Sequence, residues 1–97
     1  MQVRWTRRAR RRLTEHTDHI ALRSATAADR VLQRVRHDVE GLAANPLMGR
    51  EGRYLGTREL VISGLPYVVV YRVRGQSVEV ITVHDTRRPW PAELDET

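Results

Sequence analysis

The chain has 97 residues, of which 40% are hydrophobic, and it contains no cysteine and no phenylalanine. This composition predicts one globular domain over residues 1–97 with an aliphatic core, and it excludes disulfides and thiolate chemistry. The net charge is +5, and the 17 basic side chains are all arginines, which indicates either an anionic partner or GC-rich coding. Because no apolar run is long enough to span a bilayer and no signal-peptide pattern is present, we expect a cytoplasmic protein with no membrane partner.

The first half of the chain predicts a short strand and then a helix hairpin. "MQVRW" alternates, which places Val3 and Trp5 on one face, and Thr6 can cap the helix that follows. A second helix begins at Ser24 or Thr26 and ends at Asn45-Pro46. Each helix has one apolar face: Ala9, Leu13, His16 and Ile20 on the first, and Val31, Val35, Val39 and Leu42 on the second.

Arginines crowd the start of the first helix at positions 7, 8, 10, 11 and 12. Positive charge is mildly unfavourable at the positive end of a helix dipole. The cluster is therefore either a solvated face or a functional surface.

A Gly-rich loop with Arg50 and Arg53 leads into the second half, which predicts three strands. They span Arg58–Ser63, Tyr67–Arg74 and Ser77–His84. The Gly75-Gln76 pair fits a type II′ turn between the last two strands.

That turn sets a predicted register for the last two strands. It places Arg72 opposite Glu79 as an opposite-charge pair. Further along, it pairs Val70 with Ile81, Val68 with Val83, and Tyr67 with His84. Both faces of this sheet are then largely apolar. We expect the helices to cover one face, and either the tail or another chain to cover the other.

The segment "VHDTRRPWP", residues 83–91, brings together His84, two arginines and Trp90, and Pro89 and Pro91 stiffen it. One interpretation is catalytic: the imidazole moves a proton, arginines hold phosphate, and Trp90 stacks on a base. The other is structural: His84 bonds to Tyr67 or to the backbone, and Trp90 folds back onto the open sheet face. No histidine or carboxylate grouping indicates a metal site, and no cofactor is expected.

Four segments in order, "NPLMGR", "GTRELVISG", "PYVVVYRV" and "VEVITVH", resemble the RelE/ParE superfamily of type II toxin–antitoxin toxins. The resemblance implies an α+β fold of order β-α-α-β-β-β, with a helix hairpin packed on a small, mainly antiparallel sheet. It also implies a ParD/RelB-like antitoxin as partner, with operator DNA contacted only through that antitoxin.

Within the superfamily, Val68 and His84 match ParE-like chains, which block DNA gyrase to arrest growth. RelE-like members instead cut mRNA on the ribosome and tend to carry an arginine where Val68 stands and a cation where Thr86 stands. The alternative is therefore a ribosome-dependent endoribonuclease using His84, Arg58, Arg87 and Arg88. A third hypothesis is a non-toxic, basic nucleic-acid-binding module.

These hypotheses give two sets of candidate binding residues, with no catalytic residue favoured. The target-binding set is Arg53, Arg58, Arg87, Arg88 and Trp90. The antitoxin-binding set is Arg7, Arg8, Arg11 and Arg12.

Overall fold

The computed structural model describes residues 1–94 and contains two helices packed on one face of a five-stranded sheet. In chain order the elements are β1 (Gln2–Trp5), α1 (Arg7–Ala21), α2 (Ala25–Glu40), a short 3-10 turn (Gly41–Ala43), β2 (Arg50–Glu51), β3 (Arg58–Ile62), β4 (Tyr67–Arg74) and β5 (Ser77–Asp85). The strand order is β1-β5-β4-β3-β2, with β1 parallel to β5 and every other neighbour antiparallel. The predicted α+β fold is confirmed, with the two-residue β2 as an addition.

Both helices begin at a side-chain cap. The Thr6 hydroxyl accepts a hydrogen bond from the Ala9 N–H at 3.0 Å. Ser24, rather than Thr26, caps α2 by accepting from the Ala27 N–H at 3.1 Å. The predicted end of the second helix at Asn45-Pro46 is slightly late, because α2 ends at Glu40 and the 3-10 turn takes over. None of the helices in residues 1–94 is long and apolar enough to cross a membrane.

The core lies between the helix hairpin and the sheet. Ala9 and Leu13 of α1 are buried there, and Val35 and Val39 of α2 are fully enclosed. The sheet contributes Leu60, Ile62, Tyr67, Val69, Tyr71, Val78, Val80 and Val83. The apolar faces predicted for the two helices therefore do pack on the sheet, with His16 and Ile20 only partly buried.

The register between β4 and β5 is as predicted near the turn and wrong beyond it. Gly75 has φ +59°, which suits the predicted turn, and Arg72 pairs with Glu79. A β-bulge then leaves Ile81 without a partner. The pairs beyond it are Val70 with Thr82, Val68 with His84, and Tyr67 with Asp85.

One extra residue in a strand reverses the face of every side chain after it. Val83 therefore faces the helices, whereas Thr82 and His84 face the opposite side of the sheet. The predicted pairing of His84 with Tyr67 is accordingly wrong.

Helix α1 continues along the edge of β5 where β1 ends. The Thr6 hydroxyl donates to the Ile81 carbonyl at 3.1 Å, and the His16 ring lies 2.8 Å from the Val83 carbonyl through Nε2. Since a carbonyl only accepts, Nε2 of His16 carries the proton. These hydrogen bonds satisfy backbone carbonyls on the β5 edge. They also bring the arginine-rich side of α1 close to the end of β5.

Candidate functional site

The sheet face that turns away from the helices is buried at its centre, whereas Val61 on β3 is 48% exposed. Val68 and Val70 lie on it and are 2% and 0% exposed. Two segments meet over this side: the 52–57 loop, and residues 86–94, which we call the tail. The Tyr54 hydroxyl of the loop donates to the Pro91 carbonyl of the tail at 2.5 Å. The tail, one of the two covers considered from sequence, therefore lies over part of this face.

Trp90 is the centre of this cover. Its ring stacks on the His84 imidazole with centroids 3.8 Å apart and planes inclined at 28°. The Arg53 guanidinium carbon lies 3.6 Å from the indole centroid, in cation–π geometry, and the Tyr54 ring is 6.3 Å away. Trp90 therefore folds back onto the sheet, as in the structural interpretation of the sequence.

Glu59 on β3 holds the loop from below. Glu59 is 3% exposed. Its carboxylate accepts hydrogen bonds from the Arg53 N–H at 2.9 Å and from the Arg50 guanidinium at 3.1 Å. Burial acts to raise the pKa of Glu59, but these hydrogen bonds outweigh it, so the pKa lies below its usual range. A buried, ionised carboxylate thus fixes the arginine that contacts Trp90.

Asp85 holds the start of the tail in the same way. Its carboxylate accepts from the Arg87 backbone N–H at 2.9 Å and from two guanidinium nitrogens of Arg87 at 3.0 Å. The side-chain bonds from Arg87 lower the pKa of Asp85 to about 2, although burial opposes this. The tail therefore leaves β5 in a fixed direction.

His84 is a neutral, partly buried imidazole. Its Nε2 lies 3.1 Å from the Arg88 carbonyl, so Nε2 carries the proton and donates it there. Burial lowers the pKa of His84, and the positive charge of Arg53 acts in the same direction. The ring is thus a neutral partner for Trp90 at neutral pH.

An open cleft of about 460 Å³ lies between α1 and the tail. Arg8, Arg12 and His16 line it on the helix side, and Arg88 and Trp90 line it on the tail side. Arg8 and Arg12 belong to the candidate antitoxin-binding set, whereas Arg88 and Trp90 belong to the target-binding set. The structure therefore brings members of two separately predicted sets to one cleft, while Arg7 and Arg11 are exposed on α1.

Arg58 is the candidate that the structure does not bring to the tail. Its β3 position pairs with Tyr71, whose side chain belongs to the core on the helix side. The Arg58 guanidinium donates to the Gly49 carbonyl at 2.8 Å, bracing the chain before β2. Arg53 lies on Trp90 and the Arg88 carbonyl bonds to His84, whereas Arg87 is held by Asp85 and lines the same cleft.

Sequence reasoning missed Tyr54, Glu59 and Asp85. Glu59 had a usable signal, since an acid inside an apolar strand needs a cationic partner when that strand is buried on both faces. Asp85 had one too, because aspartate often bonds to a backbone N–H two residues on. Tyr54 had none, because its contact with Pro91 spans 37 residues.

The fold and this site define a small α+β toxin of the RelE/ParE kind, and comparisons with known proteins agree. The family model described as the ParE toxin of the type II toxin–antitoxin system parDE matches residues 3–90. "Putative toxin Y4kP" of Sinorhizobium fredii (strain NBRC 101917 / NGR234) is 42% identical over 93 residues, covering 96% of each chain. A solved structure described as the chromosomal ParDE TA system from P. aeruginosa aligns with a TM-score of 0.79 at 27% identity, covering 88% of this chain and 95% of that one.

The chain belongs to the ParE toxin family of type II toxin–antitoxin systems. Membership implies a cognate antitoxin as partner.

Proposed function

We propose that this toxin arrests growth in the cytoplasm by binding and inhibiting DNA gyrase, that residues 1–97 act as one domain, and that the cognate antitoxin neutralises it. The observation that carries the choice of target is the state of His84. The imidazole is stacked on Trp90, bonded through Nε2 to a backbone carbonyl and low in pKa. A ring fixed in this way is a poor proton shuttle and a good support for a neighbouring indole.

The arginines near the site also favour binding over RNA cleavage. Cleavage needs guanidinium groups directed at the phosphate, together with an acid and a base. Arg87 is committed to Asp85, Arg53 to Glu59 and Arg58 to backbone carbonyls. The position at which RelE-like chains tend to carry an arginine is Val68, which is apolar and 2% exposed.

The tail instead has the properties of a binding segment. Trp and Arg are the residues that most often dominate interface energies, and a segment that is already fixed loses little entropy on docking. Arg88 offers a side chain that is 76% exposed, beside the anchored Trp90. In this proposal Arg88 and Trp90 contact the target directly, and Arg53 and Arg87, which carboxylates hold in place, flank them.

Inhibition of supercoiling by purified gyrase tests the proposal, on variants that are shown to be folded by circular dichroism. We expect Arg88→Ala to weaken inhibition by roughly tenfold or more, as for an interface arginine. Arg74→Ala, an exposed arginine at the far end of β4, is the matched control and should change nothing. His84→Gln should retain inhibition within about tenfold, since glutamine can still donate to the Arg88 carbonyl.

The ribonuclease alternative gives the opposite pattern. If the toxin leaves supercoiling intact, cuts mRNA in a ribosome-containing translation reaction, and loses that cleavage by a factor of about 10²–10⁴ in His84→Gln, then His84 is a proton shuttle and the gyrase proposal is wrong.

For the antitoxin, we propose that acidic side chains approach the arginines at the start of α1. The net charge of +5 should steer a partner of opposite charge to this surface. Replacing Arg7, Arg8 and Arg11 with alanine should slow antitoxin association and flatten its dependence on salt. An unchanged association rate at low salt would exclude these arginines as contacts.

A further inference from the structure

Hydrogen bonds within the 52–57 loop fix a turn that exposes a leucine to solvent. Gly52 N–H donates to the Thr57 carbonyl at 2.8 Å, and the Thr57 hydroxyl donates to the Tyr54 carbonyl at 2.7 Å. Gly56 takes a positive φ of +77°, which closes the turn. Leu55 lies at the tip of this turn and is fully exposed.

The loop is also joined to the tail. The Tyr54 hydroxyl bonds to the Pro91 carbonyl, and the guanidinium of Arg53 lies on Trp90. Leu55 follows these two residues in the chain, so it is one residue away from the point at which the loop is joined to the tail. Exposed Pro89 and Pro91 add apolar surface, and exposed Arg88 adds charge.

The junction depends on Glu59. This carboxylate accepts both the backbone N–H of Arg53, at 2.9 Å, and its Nε, at 3.4 Å. Without the negative charge, Arg53 would lose the partner that holds its guanidinium near Trp90. The side chain of Glu59 is only 3% exposed, so it acts through Arg53 rather than by touching a partner itself.

We propose that the 52–57 loop and the tail form one composite docking surface for the target, with Leu55 as an apolar contact and Glu59 as a positioning residue. The inference rests on the proposed function and adds Leu55 and Glu59 of a second element, from which the sequence had indicated only Arg53. A surface that combines an apolar side chain with arginines fits a protein surface with an apolar recess and carboxylates at its rim. Nucleic acid offers phosphates to the arginines but no comparable recess for a leucine.

Leu55→Asp tests the contact, with binding to immobilised DNA gyrase measured by surface plasmon resonance. Aspartate at a fully exposed position should leave the melting temperature unchanged and weaken gyrase binding by roughly tenfold or more. Leu22→Asp is the matched control, since Leu22 is also a strongly exposed leucine but lies on the turn between the helices. Equal gyrase affinities for the two variants would overturn the proposal.

Glu59→Gln tests the positioning role in a Trp5→Phe background, where Trp90 is the only tryptophan. We expect Trp90 emission to be quenched more readily by acrylamide and the complex with gyrase to dissociate several-fold faster. Glu79→Gln is the matched control, because Glu79 is also a strand carboxylate paired with an arginine, Arg72 at 2.7 Å. If both variants lose similar stability and neither changes Trp90 quenching or dissociation, Glu59 is merely structural.

The outcomes separate this inference from the proposed function. If the unsubstituted toxin does not bind gyrase, the proposed function fails, and so does the target named for this surface. If it binds gyrase and Leu55→Asp weakens only binding of the antitoxin, the surface belongs to the antitoxin and the inference alone is wrong. Loss of gyrase binding in Leu55→Asp, with antitoxin binding retained, supports both.

Discussion

Acid should weaken the fold measurably through Asp85. Its pKa falls from an ordinary 3.8 to about 2 because Arg87 bonds to it, and the residue is 7% exposed. At about 1.4 kcal/mol per pKa unit, that difference corresponds to about 2 kcal/mol of stability. Because the folded pKa is the lower one, this contribution is fully present above about pH 5 and is lost as the pH falls towards about 2.

Comparison with Asp85→Asn isolates this contribution, since every other carboxylate titrates in both proteins. We expect the free energy of urea unfolding to be about 2 kcal/mol lower in the variant at pH 6, and the gap to narrow by about 1 kcal/mol at pH 3. Replacement of exposed Glu93 by Gln is the control, and its free energy of unfolding should be almost the same as that of the unsubstituted protein at either pH. A gap for Asp85→Asn that is the same at pH 6 and pH 3 would refute an ionised Asp85 bonded to Arg87.

Three further substitutions test the packing by thermal or urea unfolding. Tyr71→Phe should cost about 1–3 kcal/mol, because the buried hydroxyl accepts from the Gly49 N–H and donates to a carbonyl, each at 2.8 Å; a loss below about 0.5 kcal/mol would contradict these bonds. Val35→Asp should cost several kcal/mol, since Val35 is 0% exposed, and wild-type melting would mean that it lies outside the core. Gly75→Ala should cost about 1 kcal/mol because φ is +59°, and no change would mean that the turn adopts another conformation.

The sequence predicted the elements well because their signals are local. The turn at Gly75 fixed where β4 ends and β5 begins, and the spacing of Val31, Val35 and Val39 identified the buried face of α2. The bulge at Ile81 escaped prediction for a physical reason. β-Branched residues occupy both faces of β5, so the regular register still gave Val70 and Val68 apolar partners, and only Thr82 and His84 on the helix face indicated a mismatch.

The sequence indicated several of the residues that form the site, but it did not indicate which of them contact one another. The tail residues Arg88 and Trp90 are conspicuous in the sequence, and the structure places them together with Arg53. The buried carboxylates that hold them could be inferred only in part, because Glu59 acts on Trp90 through Arg53 and through space. Arg58 lies apart from the tail because strand alternation puts its side chain on the helix side of the sheet.

The parallel pairing of β1 with β5 has a consequence for the order of events during synthesis. The strand Gln2–Trp5 is made before the other strands of the sheet, yet the edge that receives it, residues 77–80, is made 75 residues later. Closing so long a loop is entropically slow, whereas the helix hairpin and the β3–β4–β5 meander close locally. A nascent chain therefore carries an unpaired first strand until the last one is made, and a chain interrupted before β5 leaves that strand without the neighbour it needs.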